Sequence, residues 1–214
     1  MLTPYKHQID IANMAYAIVK VNGLAYLACE ERTGKTIAAI LTAEKMGSVE
    51  TVLVITKKKA MQGWVDTLAN MPELTKQYEV INYHQAHKCN KPDLVLLDES
   101  HNYISSFPKP GKIWKELRPL CQGLPLIYIS ATPYGQGPQM LYNQFALSSY
   151  SPWKKYPTFY SWFKTFGELY QQEINGIKIN QYDRCDTEFV VGCVEHLFIT
   201  KTRAELGFGH EPED

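Results

Sequence analysis

Residues 29–38 read CEERTGKTIA, with Gly34, Lys35 and Thr36 in the order G-K-T. A phosphate group is bound where backbone N–H groups curl toward an anion at a helix N-terminus, a lysine reaches the terminal phosphates, and a hydroxyl can ligate magnesium. Gly34, Lys35 and Thr36 supply those parts, with Thr33 beside them, provided a strand leads into the loop and a helix leads out of it. The usual pattern carries a further glycine five positions before Gly34, and here that position is Cys29. The change is tolerable if the N–H groups nearest the phosphates belong to residues 33–36. Two further groups could act on a phosphate. Asp98 and Glu99 end the apolar run DLVLLDE; the first can hold magnesium, and the second can orient or deprotonate an attacking water. In ISATP, residues 129–133, the hydroxyls of Ser130 and Thr132 can bond the carboxylate loop around His101 and sense a γ-phosphate. Each motif alone is common; joint occurrence, each at the end of its own buried strand, is not.

These residues need elements to position them. Ile9, Ile11, Ala12, Ala15, Tyr16 and Val19 recur at helical spacing between Pro4 and Gly23. LAYLA (24–28) then reads as a short buried strand, and a helix follows the loop as far as Met46. TVLVIT (51–56), YEVINY (78–83), DLVLLDES (93–100) and PLIYISATP (125–133) read as strand segments, with helical stretches near 58–70 and 112–121. Apolar strands without strict alternation, separated by helices, predict an α/β fold: a mostly parallel sheet with helices on both faces, over residues 1–147. Such sheets bind ligands at the carboxyl ends of their strands, where all three motifs fall. From residue 148 the composition turns aromatic. Phe159, Trp162, Phe163, Phe166 and Tyr170 share one helix face, which favours core packing over a base-stacking platform. GIKINQYDR (176–184) reads as hairpin-like, residues 148–206 as an extension closing the domain, and 207–214 as a tail or start of a linker.

Lys+Arg and Asp+Glu both number 22 in a chain of 214 residues, so contact with nucleic acid has to come from a local patch. Five cysteines with no export signal point to a reducing, cytosolic setting, and no run approaches the ~18 apolar residues of a membrane span. His84, His87 and Cys89, even with Cys185 and Cys193, fit no common zinc spacing.

In order and spacing, TPYKHQ, ERTGKT, VLVITKKKAMQGW, DESH and SATP resemble the first RecA-like domain of superfamily 2 helicases, most of all the Swi/Snf-type DNA translocases of bacteriophages, over residues 2–206. The resemblance implies a P-loop NTPase domain that takes ATP and Mg2+. Thr33, Gly34, Lys35 and Thr36 would surround the phosphates, Thr36 and Asp98 would hold the metal, and Lys35, Asp98 and Glu99 would be catalytic. Gln8 would read the adenine edge with Tyr5 near the base; without the motifs, Gln8 reads as an exposed helix position. His101, Ser130 and Thr132 would couple the site to DNA. Thr56, Lys57 and Lys58 would face the nucleic-acid backbone, although the lysines read equally well as a solvated charge run. The family sandwiches ATP between two RecA-like domains, and Asp214 falls where a second would begin. A second domain in trans is therefore an expected partner beside DNA, in a host cytoplasm if the gene is a phage's. The rival expectation is a non-catalytic nucleotide-binding interaction module in phage replication or recombination.

Overall fold

The computed structural model describes residues 2–71 and 73–208. Its centre is a six-stranded sheet of β1 (Leu24–Leu27), β2 (Thr51–Thr56), β3 (Gln77–Asn82), β4 (Leu94–Asp98), β5 (Leu126–Ile129) and β8 (Phe198–Ile199), in the order β3-β2-β4-β5-β1-β8. Every pairing in it is parallel. β1 and β5 are buried throughout, and β4 along all but its last residue, as strands covered on both faces must be. Side chains alternate between the faces: Leu24 and Tyr26 enter one core cluster, Ala25 and Leu27 the other.

Helices α1 (Lys6–Asn22), α2 (Lys35–Lys45) and α3 (Met61–Asn70) cover one face. α1 and α2 pack on each other through small residues, among them Ala15, Ala38 and Ala43. The other face carries α4 (Lys112–Cys121), α5 (Met140–Ala146), α6 (Phe159–Phe166) and α7 (Thr187–Gly192). Thr158 caps α6 by accepting from the Ser161 amide, and Phe159, Trp162, Phe163 and Phe166 are buried among Tyr142, Phe145 and Trp153. The aromatic stripe is thus core. It stops earlier than its spacing suggests: at Gly167 any side chain would meet the Phe163 ring at 2.3 Å, and Tyr170 opens a strand instead of continuing the helix.

That strand, β6 (Tyr170–Ile174), pairs antiparallel with β7 (Ile177–Gln181) across a two-residue turn, Asn175-Gly176, with φ of 53° and 76°. Two consecutive left-handed residues of this kind suit the twist of a tight hairpin. GIKINQYDR therefore holds only the turn glycine and second strand; the first, TyrGlnGlnGluIle, has too little alternation to stand out. β8 lies parallel beside β1 and brings the chain back to the loop after β1. Among the described residues no helix is long and apolar enough to cross a membrane. Of the expected tail, residues 209–214 lie outside the described residues.

Trp162→Ala should cost about 3–5 kcal/mol in urea unfolding, because a fully buried ring leaves a cavity. Ile177→Thr, on the exposed ribbon, should change stability by less than about 0.5 kcal/mol.

Candidate active site

Ile129, the last residue of β5, is in register with Leu27 of β1 and with Asp98 of β4. One level of the sheet therefore releases three loops side by side: residues 28–34 after β1, 99–103 after β4 and 130–134 after β5.

In the first loop, Gly34 is the N-cap of α2, with φ of 80° and no side-chain cap. A Cβ there would lie 2.0 Å from Nε2 of Gln8, so glycine is required by backbone conformation and by space. Arg32 is also left-handed, at φ 60°. Lys35 is the first residue of α2, and its Nζ donates to the carbonyls of Cys29 (2.7 Å) and Glu30 (2.6 Å). Burial pulls its pKa below the ordinary lysine value, opposed by nearby groups including Glu99 and Asp98. Thr36 follows it in the first turn, partly buried. Thr33 is fully buried and gives its hydroxyl to the Glu30 carbonyl (2.7 Å).

Cys29 explains itself in this setting. Its backbone is not left-handed, its side chain is fully buried in the cluster beneath α1 and α2, and its thiol donates to the Ile199 carbonyl at 3.4 Å. The segment after β8 backs the loop further: Glu30 N–H donates to the Lys201 carbonyl (2.9 Å), and Arg203 N–H to the Glu30 carboxylate (2.6 Å). No motif pointed to this support, which comes from residues 170 positions away in the chain.

In the second loop, Oδ2 of Asp98 accepts from Thr56 Oγ1 (2.6 Å) and Trp64 Nε1 (3.0 Å). Thr56, expected to face a nucleic-acid backbone, is fully buried and gives its hydroxyl to this carboxylate. Lys57 and Lys58 immediately after it are exposed. Trp64, unassigned from the sequence, is an apolar helix position whose indole N–H bonds this carboxylate. Glu99 is left-handed (φ 53°, ψ 36°) and its N–H donates to the Ile129 carbonyl (2.8 Å). Burial, with Asp98 adjacent, raises its pKa above the usual carboxylate value; Lys57 and Lys35 oppose the shift.

His101 joins the second loop to the third. Its Nδ1 lies 2.7 Å from Ser130 Oγ and 3.8 Å from Glu99 Oε2, and its Nε2 lies 3.4 Å from Thr132 Oγ1. The Thr132 N–H donates to Ser130 Oγ (3.0 Å). Burial, reinforced by Lys57, holds the imidazole below its ordinary pKa.

Gln8 is 3 % exposed, unlike the solvent-facing helix position its pattern allows. Its Oε1 accepts the Tyr5 N–H (2.9 Å), closing the first turn of α1, and its amide lies against Gly34. Tyr5 is exposed and stacks on His7, whose Nε2–H reaches the Thr33 carbonyl at 3.1 Å. Beside them is a cleft of about 570 Å³ lined by Tyr5, His7, Asp10, Lys201, Glu205 and Leu206, among others. Elsewhere, His87 approaches Glu116 (3.8 Å), the Cys89 thiol donates to Glu79 (3.2 Å), and among the described residues no three His, Cys, Asp or Glu gather around a point.

No protein-family model matches the sequence, and no curated protein does. Solved structures do match. The SWI2/SNF2 ATPase core of Sulfolobus solfataricus in complex with double-stranded DNA superposes with a TM-score of 0.68 at 15 % identity, over 96 % of this chain and 47 % of that one. The SWI2/SNF2 ATPase core domain from the same organism gives 0.65 at 13 % identity, over 98 % and 47 %. The fold is therefore that of a RecA-like ATPase core, and the chain spans about half the length of these structures.

Two substitutions test the loop. Cys29→Gly, although it restores the commoner residue, should lower stability by about 1–2 kcal/mol through lost burial and added chain entropy, as read by thermal unfolding. Gly34→Ala should distort the start of α2 and displace Gln8, seen as loss of the Gln8 side-chain amide resonance from its native position in NMR spectra.

Proposed function

We propose that this chain is the ATP-binding motor half of a DNA helicase or translocase of the Swi/Snf-like type. The observation that carries the reading is the register at Ile129, which gathers Lys35, Asp98, Glu99 and the hydroxyls of Ser130 and Thr132 along one edge of the sheet. The residues fit ATP with Mg2+. The first turn of α2 has no side-chain cap, so its N–H groups remain directed to an anion, and Gly34 keeps Cβ bulk out of the loop. Thr56 and Trp64 both donate to Oδ2 of the Asp98 carboxylate, so its other oxygen would hold the metal together with Thr36. Bound magnesium would neutralise charge on the β- and γ-phosphates.

The chain's own groups divide the rest of the work. Lys35 swings from the carbonyls of Cys29 and Glu30 to the terminal phosphates and keeps its charge there. Glu99, with its raised proton affinity, takes the proton of the attacking water and holds that water in line. His101 stays neutral and transmits the position of the Ser130–Thr132 loop to Glu99. The cleft at Tyr5 and His7 lies where a base could stack, with Gln8 beneath the phosphate loop; its free amide edge would face the base only if the cap to Tyr5 opens. Lys57 and Lys58 are offered to a DNA backbone, as the DNA complex of the Sulfolobus core encourages. On this reading a second RecA-like domain would complete the site; an arginine from such a domain is worth about 10³–10⁵ in rate in related phosphoryl transfers.

Lys35→Ala should abolish Mg·ATP binding in calorimetric titration, and an unchanged affinity would contradict the assignment. Glu99→Gln should bind as the parent does and fail to hydrolyse. The parent alone should turn over slowly with or without DNA, and gain rate when a second RecA-like chain is supplied; a non-catalytic module would show no hydrolysis in either case.

A further inference from the structure

Gln144 sits in α5, away from every motif, yet it is fully buried and all of its side-chain hydrogen-bonding capacity is used. Its Oε1 accepts from Tyr26 Oη (2.8 Å) and Ser100 Oγ (2.9 Å). Its Nε2 donates to the Pro133 carbonyl (2.7 Å) and to Met140 O (3.2 Å). Tyr26 Oη and Ser100 Oγ also lie 3.1 Å apart, and Tyr128 Oη donates to the Gln144 main-chain carbonyl at 2.8 Å.

Apart from Met140 in α5 itself, the partners lie in or just before the three loops at the sheet edge. Tyr26 is in β1, just before the phosphate loop. Ser100 follows Glu99 directly. Pro133 follows Thr132, and Tyr128 is in β5 two residues before Ser130. Glu99 is held in a left-handed conformation that a glutamate does not favour, so the residues flanking it must fix it. Ser100 is one of the two flanking residues, and its hydroxyl donates to Gln144. A satisfied amide buried in that position adds direction, since a buried polar network tolerates one arrangement of its members.

We propose that Gln144 is a positioning residue for hydrolysis: one amide references the Glu99 loop and the Ser130–Thr132 loop to each other, so that the water-activating carboxylate and the hydroxyls at His101 keep a common geometry. The proposal rests on the ATPase reading above and adds a residue that neither touches nucleotide nor belongs to its motifs.

The test uses the 214-residue chain. Gln144→Met keeps length and burial but removes every side-chain bond. It should bind Mg·ATP within about twofold of the parent while single-turnover hydrolysis falls about 10–100-fold, the scale of a slightly misplaced catalytic group. Amide exchange should quicken in both loops together, at Tyr103 and Ile104 and at Thr132. Ser100→Ala should reproduce the loss of hydrolysis but quicken exchange only at Tyr103 and Ile104, and Ser100→Thr, which keeps a hydroxyl, should restore both. Hydrolysis by Gln144→Met within twofold of the parent overturns the proposal. Should that variant fail to fold, parent-like hydrolysis by Ser100→Ala overturns it instead. A parent that neither binds nor hydrolyses Mg·ATP overturns the ATPase reading and this proposal together, whereas an active parent with equally active variants overturns this proposal alone.

Discussion

The structure depends on β5 lying between β1 and β4 with Ile129 in register against both Leu27 and Asp98. Parallel pairing brings the carboxyl ends of all three strands to one edge, and that single register decides that their loops leave at the same height. A two-residue slip of β4 would carry Asp98 roughly 6–7 Å along the sheet and away from Lys35. The register is held by burial on both faces: an odd slip would exchange the residues of the helical cluster under α1–α3 with those of the aromatic cluster under α4–α7, where their volumes do not fit.

Around that edge the backbone is held in conformations it would not choose. Arg32 and Glu99 are left-handed without being glycine, and each costs on the order of 1–3 kcal/mol. The bonds that oppose this strain come from far along the chain. Residues 199–203 brace the phosphate loop, Ile129 takes the Glu99 N–H, Tyr83 Oη holds the Asp98 carbonyl at 2.8 Å, and Gln144 holds Ser100. The late segment of the chain therefore serves the first loop, and the aromatic half of the core serves the carboxylates through α5.

What could be read from the sequence was whatever repeats locally or has a fixed motif order. The apolar runs of β1, β2, β4 and β5 exposed the parallel sheet, and G-K-T, DESH and SATP fell in the loops at the carboxyl ends of three of its strands. What could not be read was side-chain partnership across the fold. Thr56 ends an internal strand, and its bond to Asp98 crosses to a neighbouring strand 42 residues away, which no local pattern announces. Gln8 had the pattern of a surface position because its amide lies against Gly34, a residue distant in sequence with no side chain of its own. Trp64 and Gln144 were hidden for the opposite reason: each sits in an apolar helical pattern that core packing explains, while its one polar edge does separate work. Tyr170 misled because the aromatic spacing ran past the glycine that ends α6.

The measurement that bears most directly on the central claim is an amide and indole NMR titration of the isotopically labelled chain with a Mg2+ complex of a non-hydrolysable ATP analogue. The account predicts the largest shifts at the amides of residues 33–37 and at the Trp64 indole N–H, which reports on Asp98 through its 3.0 Å bond. Shifts confined to other surfaces, such as the cleft around Arg118, Ser149 and Trp153, or no shifts at saturating analogue, would contradict it.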